Sequence, residues 1–243
     1  MKIGIIGFGR FGQLLAKILK NKHQIKVFDS RKQLKTKARE LGVIFANLDN
    51  VCQQELIILA VPISAIKNVL EIIKNKVPTA SIVMDVCSVK EYPADLMSKL
   101  LPKNTQIIAS HPMFGPDSAK YGLKGLQMVF WPVRIKQQNY NRVKKIFSAL
   151  GLKIIQMTPE KHDRESAFAL ALVHFIGRGL EQMIKIKPQQ ITTLGFERLL
   201  KVCETVTNDT WQLFKDMQTY NKFAKPLRKK FIKLMEMIDK KLK

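Results

Sequence analysis

The string Ser110-His111-Pro112-Met113-Phe114-Gly115-Pro116-Asp117 places one imidazole among two prolines and a glycine. A structural turn has use for Pro112, Pro116 and Gly115, but none for His111. An imidazole titrates near neutrality and can take or return a proton, so a firmly held histidine is a candidate general base. A second string, Asp85-Val86-Cys87-Ser88-Val89-Lys90, offers a hydroxyl and an amine. Taken alone, Ser88 reads as a helix N-cap. A third, Gly7-Phe8-Gly9-Arg10-Phe11-Gly12, has the G-x-G-x-x-G spacing. Gly7 suits a tight turn, Gly9 a close backbone approach to a pyrophosphate, and Gly12 close packing of helix on strand. The phosphates would meet the N–H groups of the helix N-terminus. Asp29 ends the next apolar run, where an acidic residue accepts hydrogen bonds from a ribose. Ser30 and Arg31 follow it. Asp29 repels a 2′-phosphate and Arg31 attracts one, so NAD is the expected cofactor, with NADP as the alternative.

These groups need a scaffold, and the apolar runs supply one. Strands are expected at 2–8, 25–29, 55–61, 80–86, 106–110, 127–133 and 153–157, alternating with segments of helical periodicity. Strands that are apolar on both faces and alternate with helices make a mostly parallel sheet covered on both sides. Ligands bind beyond the carboxyl ends of such strands. Those ends carry the glycine loop, Ala60-Val61-Pro62, the Ser88 string and His111, with Ala60-Val61-Pro62 set to line the nicotinamide side. From Thr158 onward no strand is expected. Residues 159–185 read as one long helix with Pro159 near its first turn, and three further helices follow. The fold class is therefore α/β: a Rossmann-like dinucleotide-binding domain over residues 1–157, then an all-helical substrate or dimerisation domain over 158–243. Pairing of two copies through the helical part would bury more apolar surface.

Composition sets the bounds. The chain has 243 residues and is 46% hydrophobic, enough for a sizeable core. Three widely spaced cysteines, Cys52, Cys87 and Cys203, do not make a disulfide framework and fit a reducing cytoplasm. No run is long and apolar enough to span a membrane. The N-terminal stretch MKIGIIGFGRFGQLL has a signal-like apolar run, but its glycine spacing reads as mature protein. The net charge is +23, mostly from lysine spread along the chain. No zinc-ligand cluster, RNP-type motif or basic heptad helix accompanies it. The charge reads as solubility and steering of an anionic substrate, and against nucleic acid as partner. No metal site is expected.

The strings DVCSVK, SHPMFGPD and EKHDRESAFALALVHFIGRGL together resemble the prephenate and arogenate dehydrogenase family. The resemblance runs from the glycine loop to the C-terminal helices. It implies an NAD(P)-dependent enzyme of tyrosine biosynthesis that oxidatively decarboxylates arogenate or prephenate, hydride leaving ring C4 for the nicotinamide. It implies His111 as acceptor of the ring hydroxyl proton and Ser88 as a hydrogen-bonding group to that hydroxyl or to the cofactor amide. It implies that His174 faces the active site, and that Arg178, one turn on, is placed to pair with a substrate carboxylate; a dimer-interface or surface ion pair is the other reading of Arg178. His162 and Asp163 match a family His-Asp pair and read as capping and positioning groups. Bacterial prephenate-specific members carry an arginine before the asparagine of a later helix. Here Tyr220 precedes Asn221, as in the plant-type arogenate enzymes, so arogenate stays open as substrate. Two rival classes keep the glycine loop: a non-catalytic nucleotide-sensing protein with a basic surface, and another hydroxyacid-type dehydrogenase. The first has no use for His111 and Ser88. The second places a lysine on the long helix, where this chain has only Lys161 and Lys185 near the ends.

Overall fold

The computed structural model describes residues 1–184 and 191–242, so Lys185 lies outside the described residues. The chain divides into two compact units, Met1–Pro159 and the segment from Glu160 onward. The first is built in the order β1 (Lys2–Ile6), α1 (Arg10–Leu19), β2 (Gln24–Phe28), α2 (Leu34–Glu40), β3 (Ile44–Phe45), α3 (Leu48–Cys52), β4 (Leu56–Leu59), α4 (Ile66–Ile73), β5 (Ile82–Asp85), α5 (Glu91–Leu100), β6 (Gln106–Pro112), α6 (Pro116–Ala119), β7 (Gln127–Arg134), α7 (Gln137–Ser148) and β8 (Lys153–Gln156).

The eight strands form one sheet in the order β3-β2-β1-β4-β5-β6-β7-β8. Every pairing is parallel except β6 with β7. All four residues of β4 and of β5 are buried, as two-sided helix cover requires. Ile3, Ile5, Ile58, Met84, Ile108 and Phe130 join one core with Leu15 and Leu19 of α1 and Tyr140, Val143 and Phe147 of α7. Burying each large aliphatic side chain contributes roughly 1.5–3 kcal/mol.

The structure departs from the sequence reading in three places that bear on the site. β3 has only two residues, too few to print a period, and it displaces the 55–61 run to fourth place in the sheet. β6 continues through His111 and Pro112, which pair antiparallel with Val129 and Met128. The histidine is thus the penultimate residue of a strand and is held by a ladder. Gly115 has extended backbone (φ −110°, ψ −177°) open to any residue, so freedom at that glycine is not what the turn uses.

The second unit is helical: α8 (Pro159–Ser166), α9 (Val173–Ile184), α10 (Leu194–Thr207), α11 (Trp211–Tyr220) and α12 (Ala224–Lys240). The side chains of Thr193 and Thr210 accept from the N–H groups of Phe196 and Leu213, both at 3.2 Å, and so start α10 and α11. The expected single long helix is continuous through α8 and α9, but Ala167–Leu172 between them is a π-helix. Its wider turn is supported from outside. Gln218 Nε2 donates to the Ala171 carbonyl at 2.7 Å, and Asn221 Nδ2 donates to the Asp163 carbonyl at 2.8 Å. Among the described residues no helix is long and apolar enough to cross a membrane.

Candidate active site

The loop joining β1 to α1 is built from its glycines. Gly7 has φ +97°, and its N–H donates to the Phe28 carbonyl at 2.8 Å. A Cβ there would stand 2.4 Å from the Ala60 carbonyl oxygen, and one on Gly12 only 2.1 Å from the Gly7 carbonyl oxygen. Neither position tolerates a side chain. Gly9 differs, because a Cβ there would meet only the Arg31 guanidinium, at 3.8 Å. The space beside Gly9 is free of protein, and no side chain caps α1 at that residue. This is what backbone approach to a phosphate at a helix N-terminus requires, so the loop fits a dinucleotide.

Phe8 turns inward and is fully buried, while its N–H donates to Asp29 Oδ2 at 2.8 Å. Asp29 also receives Arg31: Nε and the backbone N–H on Oδ1, Nη2 on Oδ2, at 2.9–3.0 Å. Burial pushes the Asp29 carboxyl up. The hydrogen bonds from Arg31 and Phe8, with the charge of Arg31, outweigh it and hold the group below its ordinary value. Ser30 between them is exposed. Ala60 extends the pairing of β4, its N–H donating to the Ile6 carbonyl at 2.8 Å, and Val61-Pro62 lead into a single 3₁₀ turn at Ile63–Ala65. Arg10 Nη2 reaches Asp117 Oδ2 at 2.9 Å, and the Phe11 ring lies 6.2 Å from that of Phe114. The glycine loop and the segment after His111 are thereby joined directly.

Ser88 and His111 stand at the carboxyl ends of neighbouring strands. His111 is buried at the end of β6. Ser88 Oγ, beyond the end of β5, is also buried and has no hydrogen-bond partner among the described residues. Ser88 is therefore not the N-cap that its local sequence suggests; Lys90 holds that place on α5, without a side-chain cap. A buried hydroxyl without a partner costs about 1–3 kcal/mol, which a ligand atom would recover.

In the helical unit, His174 is buried and its Nδ1 has no hydrogen-bond partner among the described residues. Burial, then the charge of Arg178, pushes its pKa down to about 4. Asp209 Oδ2 lies 3.7 Å from Nε2. His174 is thus a neutral imidazole at physiological pH. Arg178 Nη2 donates to the carbonyls of Val206 and Asp209, and the guanidinium lies 5.3 Å from the Trp211 ring and 5.2 Å from that of Phe214. Those contacts close the end of α10 onto α11; among the described residues Nε has no hydrogen-bond partner. Tyr220 is the half-buried last residue of α11. Its neighbour Asn221 is the buried one, bound to the Asp163 carbonyl and, at 3.3 Å, to Ser166 Oγ. His162 Nδ1 lies 2.7 Å from Asp163 Oδ1, both fully enclosed.

Among the described residues no group of three or more His, Cys, Asp or Glu could hold a metal. Two supporting residues have no role in the sequence reading. Asp85 is detectable there only as a charge ending an apolar strand. Gln218 has no local signal, because its partner is 47 residues away.

Comparison with known proteins bears on these arrangements. The profile of the family described as "Prephenate dehydrogenase, nucleotide-binding domain" matches residues 15–156, and that of "TYRAAT1-like, C-terminal domain" matches residues 180–243. Over its whole length the chain is 34% identical to arogenate dehydrogenase 1, chloroplastic, of Arabidopsis thaliana and 33% identical to arogenate dehydrogenase 2, chloroplastic, of the same plant. It spans 39% of the first protein and 70% of the second. The crystal structure of prephenate dehydrogenase from A. aeolicus with hydroxyphenyl propionate and NAD+ has the same fold. Its TM-score is 0.77 at 20% identity, over 100% of this chain and 92% of that one. The glycine loop with its aspartate, the strand-end serine and histidine, and the match over more than half the chain all lead to one assignment: this chain belongs to the prephenate dehydrogenase family.

Proposed function

We propose that the chain is an NAD(P)-dependent dehydrogenase that oxidatively decarboxylates arogenate, prephenate or both. The observation that carries this reading is the buried, unpartnered Ser88 hydroxyl beside the strand end that holds His111, in the unit that also carries the glycine loop. When bound, the nicotinamide supplies the hydride acceptor for ring C4. The protein must hold the ring, take the hydroxyl proton and bind the carboxylates. His111 takes that proton, and its ladder with β7 keeps the imidazole from drifting, where an ångström of misplacement is costly. Ser88 Oγ donates to or accepts from the same hydroxyl or the cofactor amide. His174, kept neutral by burial, offers a hydrogen bond at its buried Nδ1. Arg178 binds a substrate carboxylate through the edge that its contacts with Val206 and Asp209 leave over. Loss of CO₂ as the ring becomes aromatic drives the step.

Asp29 accepts the adenine ribose of NAD. NADP is the second reading, favoured by the Arg31 guanidinium that already lies against Asp29 and offsets its charge. Phe8, Gly9, Arg10 and Phe11 border the pyrophosphate, with Ala60-Val61-Pro62 towards the nicotinamide. Arogenate is the preferred substrate, because Tyr220 stands where prephenate-specific members carry a carboxylate-reading arginine. The helical unit pairs two copies. The free, buried cysteines fit a reducing compartment, the cytoplasm by the sequence reading, although both plant relatives are named chloroplastic.

The test follows nicotinamide absorbance with each substrate and each cofactor. We expect turnover of arogenate, and a fall in kcat of ~10²–10⁴ for His111→Asn with dinucleotide binding kept. No turnover in any combination, or a His111→Asn variant at wild-type rate, would sink the reading.

A further inference from the structure

The ends of β5 and β6 are linked through one buried side chain. Asp85 is the last residue of β5 and is wholly enclosed. Its Oδ2 accepts the N–H of Cys87 at 3.0 Å, inside the string that carries Ser88. Its Oδ1 accepts the N–H of Ser110 at 3.1 Å, next to His111 on β6. Ser110 Oγ answers by donating to the Asp85 carbonyl at 2.6 Å. Lys90 Nζ, 1% exposed, pairs with Oδ2 from beneath the same string. Such a buried pair is weak grounds for stability, since desolvating both charges offsets most of their attraction.

We infer that Asp85, with Lys90 as its counter-ion, is a positioning residue that fixes the Ser88 string and the His111 strand end relative to each other. The chemistry of the side chain is the reason. Two backbone N–H groups, one from each element, need acceptors at one point, and a carboxylate has two acceptor oxygens. An amide has one, so asparagine can serve only one of the two elements. Holding both elements on one carboxylate means burying its charge, and Lys90 makes that tolerable. The inference rests on His111 and Ser88 acting as proposed.

The critical variant is the charge-balanced double substitution Asp85→Asn/Lys90→Met, studied beside Asp85→Asn, Lys90→Met and His111→Asn. Each single change at the pair strands a charge or a donor and should lower Tm. The double variant removes both charges and should regain most of that Tm. If the carboxylate positions the catalytic groups, the double variant keeps its dinucleotide Kd within about threefold, while kcat stays ~10–100-fold below wild type. A purely structural ion pair predicts instead that kcat returns with Tm, and that result overturns the inference. Should the double variant fail to fold, Asp85→Asn, assayed well below its Tm, replaces it. This takes one of the two backbone N–H groups off the side chain while Lys90 stays, and an unchanged kcat would again overturn the proposal. His111→Asn separates the two failures. If it too leaves turnover intact, the reading of the site has failed, and not only the inference about Asp85.

Discussion

Asp29 and Arg31 meet closely, and in the proposed site a dinucleotide would have to come between them. All four strong acceptor directions of the carboxylate are filled by Phe8 and Arg31. If Asp29 accepts a ribose diol as proposed, the diol displaces the guanidinium, which then lies free beside the 2′ position. Arg31→Ala should raise the NAD-to-NADP ratio of kcat/KM by tenfold or more, and Asp29→Ala should lower it. Ratios that move together, or not at all, would contradict the assignment. His174 gives a second prediction, in stability. Folding lowers its pKa from 6.5 to about 4. Between these values the unfolded chain binds a proton that the folded chain refuses. The contribution is fully present above pH 6.5 and is lost as pH falls towards 4, amounting to about 3 kcal/mol. Denaturant midpoints at pH 7, 5.5 and 4.5 should show this slope in the wild type and a shallower one in His174→Gln. Parallel slopes would mean that His174 titrates normally in the folded state.

Among the elements, the π-helical stretch between α8 and α9 has the clearest consequence. A π turn changes the rotational phase of everything after it, here α9 with His174 and Arg178. Its register is held by donors from outside the helix, above all Gln218 on the Ala171 carbonyl, with Arg228 donating to Gln218 Oε1. Gln218→Leu should destabilise the protein by about 1–2 kcal/mol and speed amide exchange in residues 171–176. Unchanged exchange there would show that the helix holds its phase without help. The periodicity of 159–185 announces a helix, but nothing in it announces a π turn. The deciding contact comes from α11, and local propensity carries no record of a partner so far along the chain.

For the whole molecule, charge and apolar surface act in opposite directions. Leu234, Met235 and Ile238 on one face of α12 are 43%, 44% and 52% exposed, on a chain of net charge +23. If two copies pair through this face, the like charges oppose the pairing and salt relieves them. Light scattering should then find a dimer that strengthens with ionic strength, and a monomer for Leu234→Glu/Ile238→Glu with dinucleotide binding intact. A dimer that persists in this variant would place the contact elsewhere. Capture of an anionic substrate should show the reverse salt dependence, as steering is screened.

What the sequence determines by itself is whatever is written in short spans. Strand–glycine loop–helix and the aspartate after the second strand are local, because turn geometry and helix packing restrict the residues within a few positions. The two-sided apolar strands likewise require a covered parallel sheet, and the SHPMFGPD string marks its histidine. Tertiary structure decides what depends on partners distant in the chain. The antiparallel β7, not the prolines alone, pins His111. Ser88 loses its expected capping role and becomes an unpartnered hydroxyl, because the β5 end folds around Asp85 and not around α5. Arg178 is drawn partly to carbonyls of α10 and its following turn, contacts that no spacing on its own helix contains. In each case the deciding contacts run through space between residues distant in the chain, and only the closed fold brings such groups together.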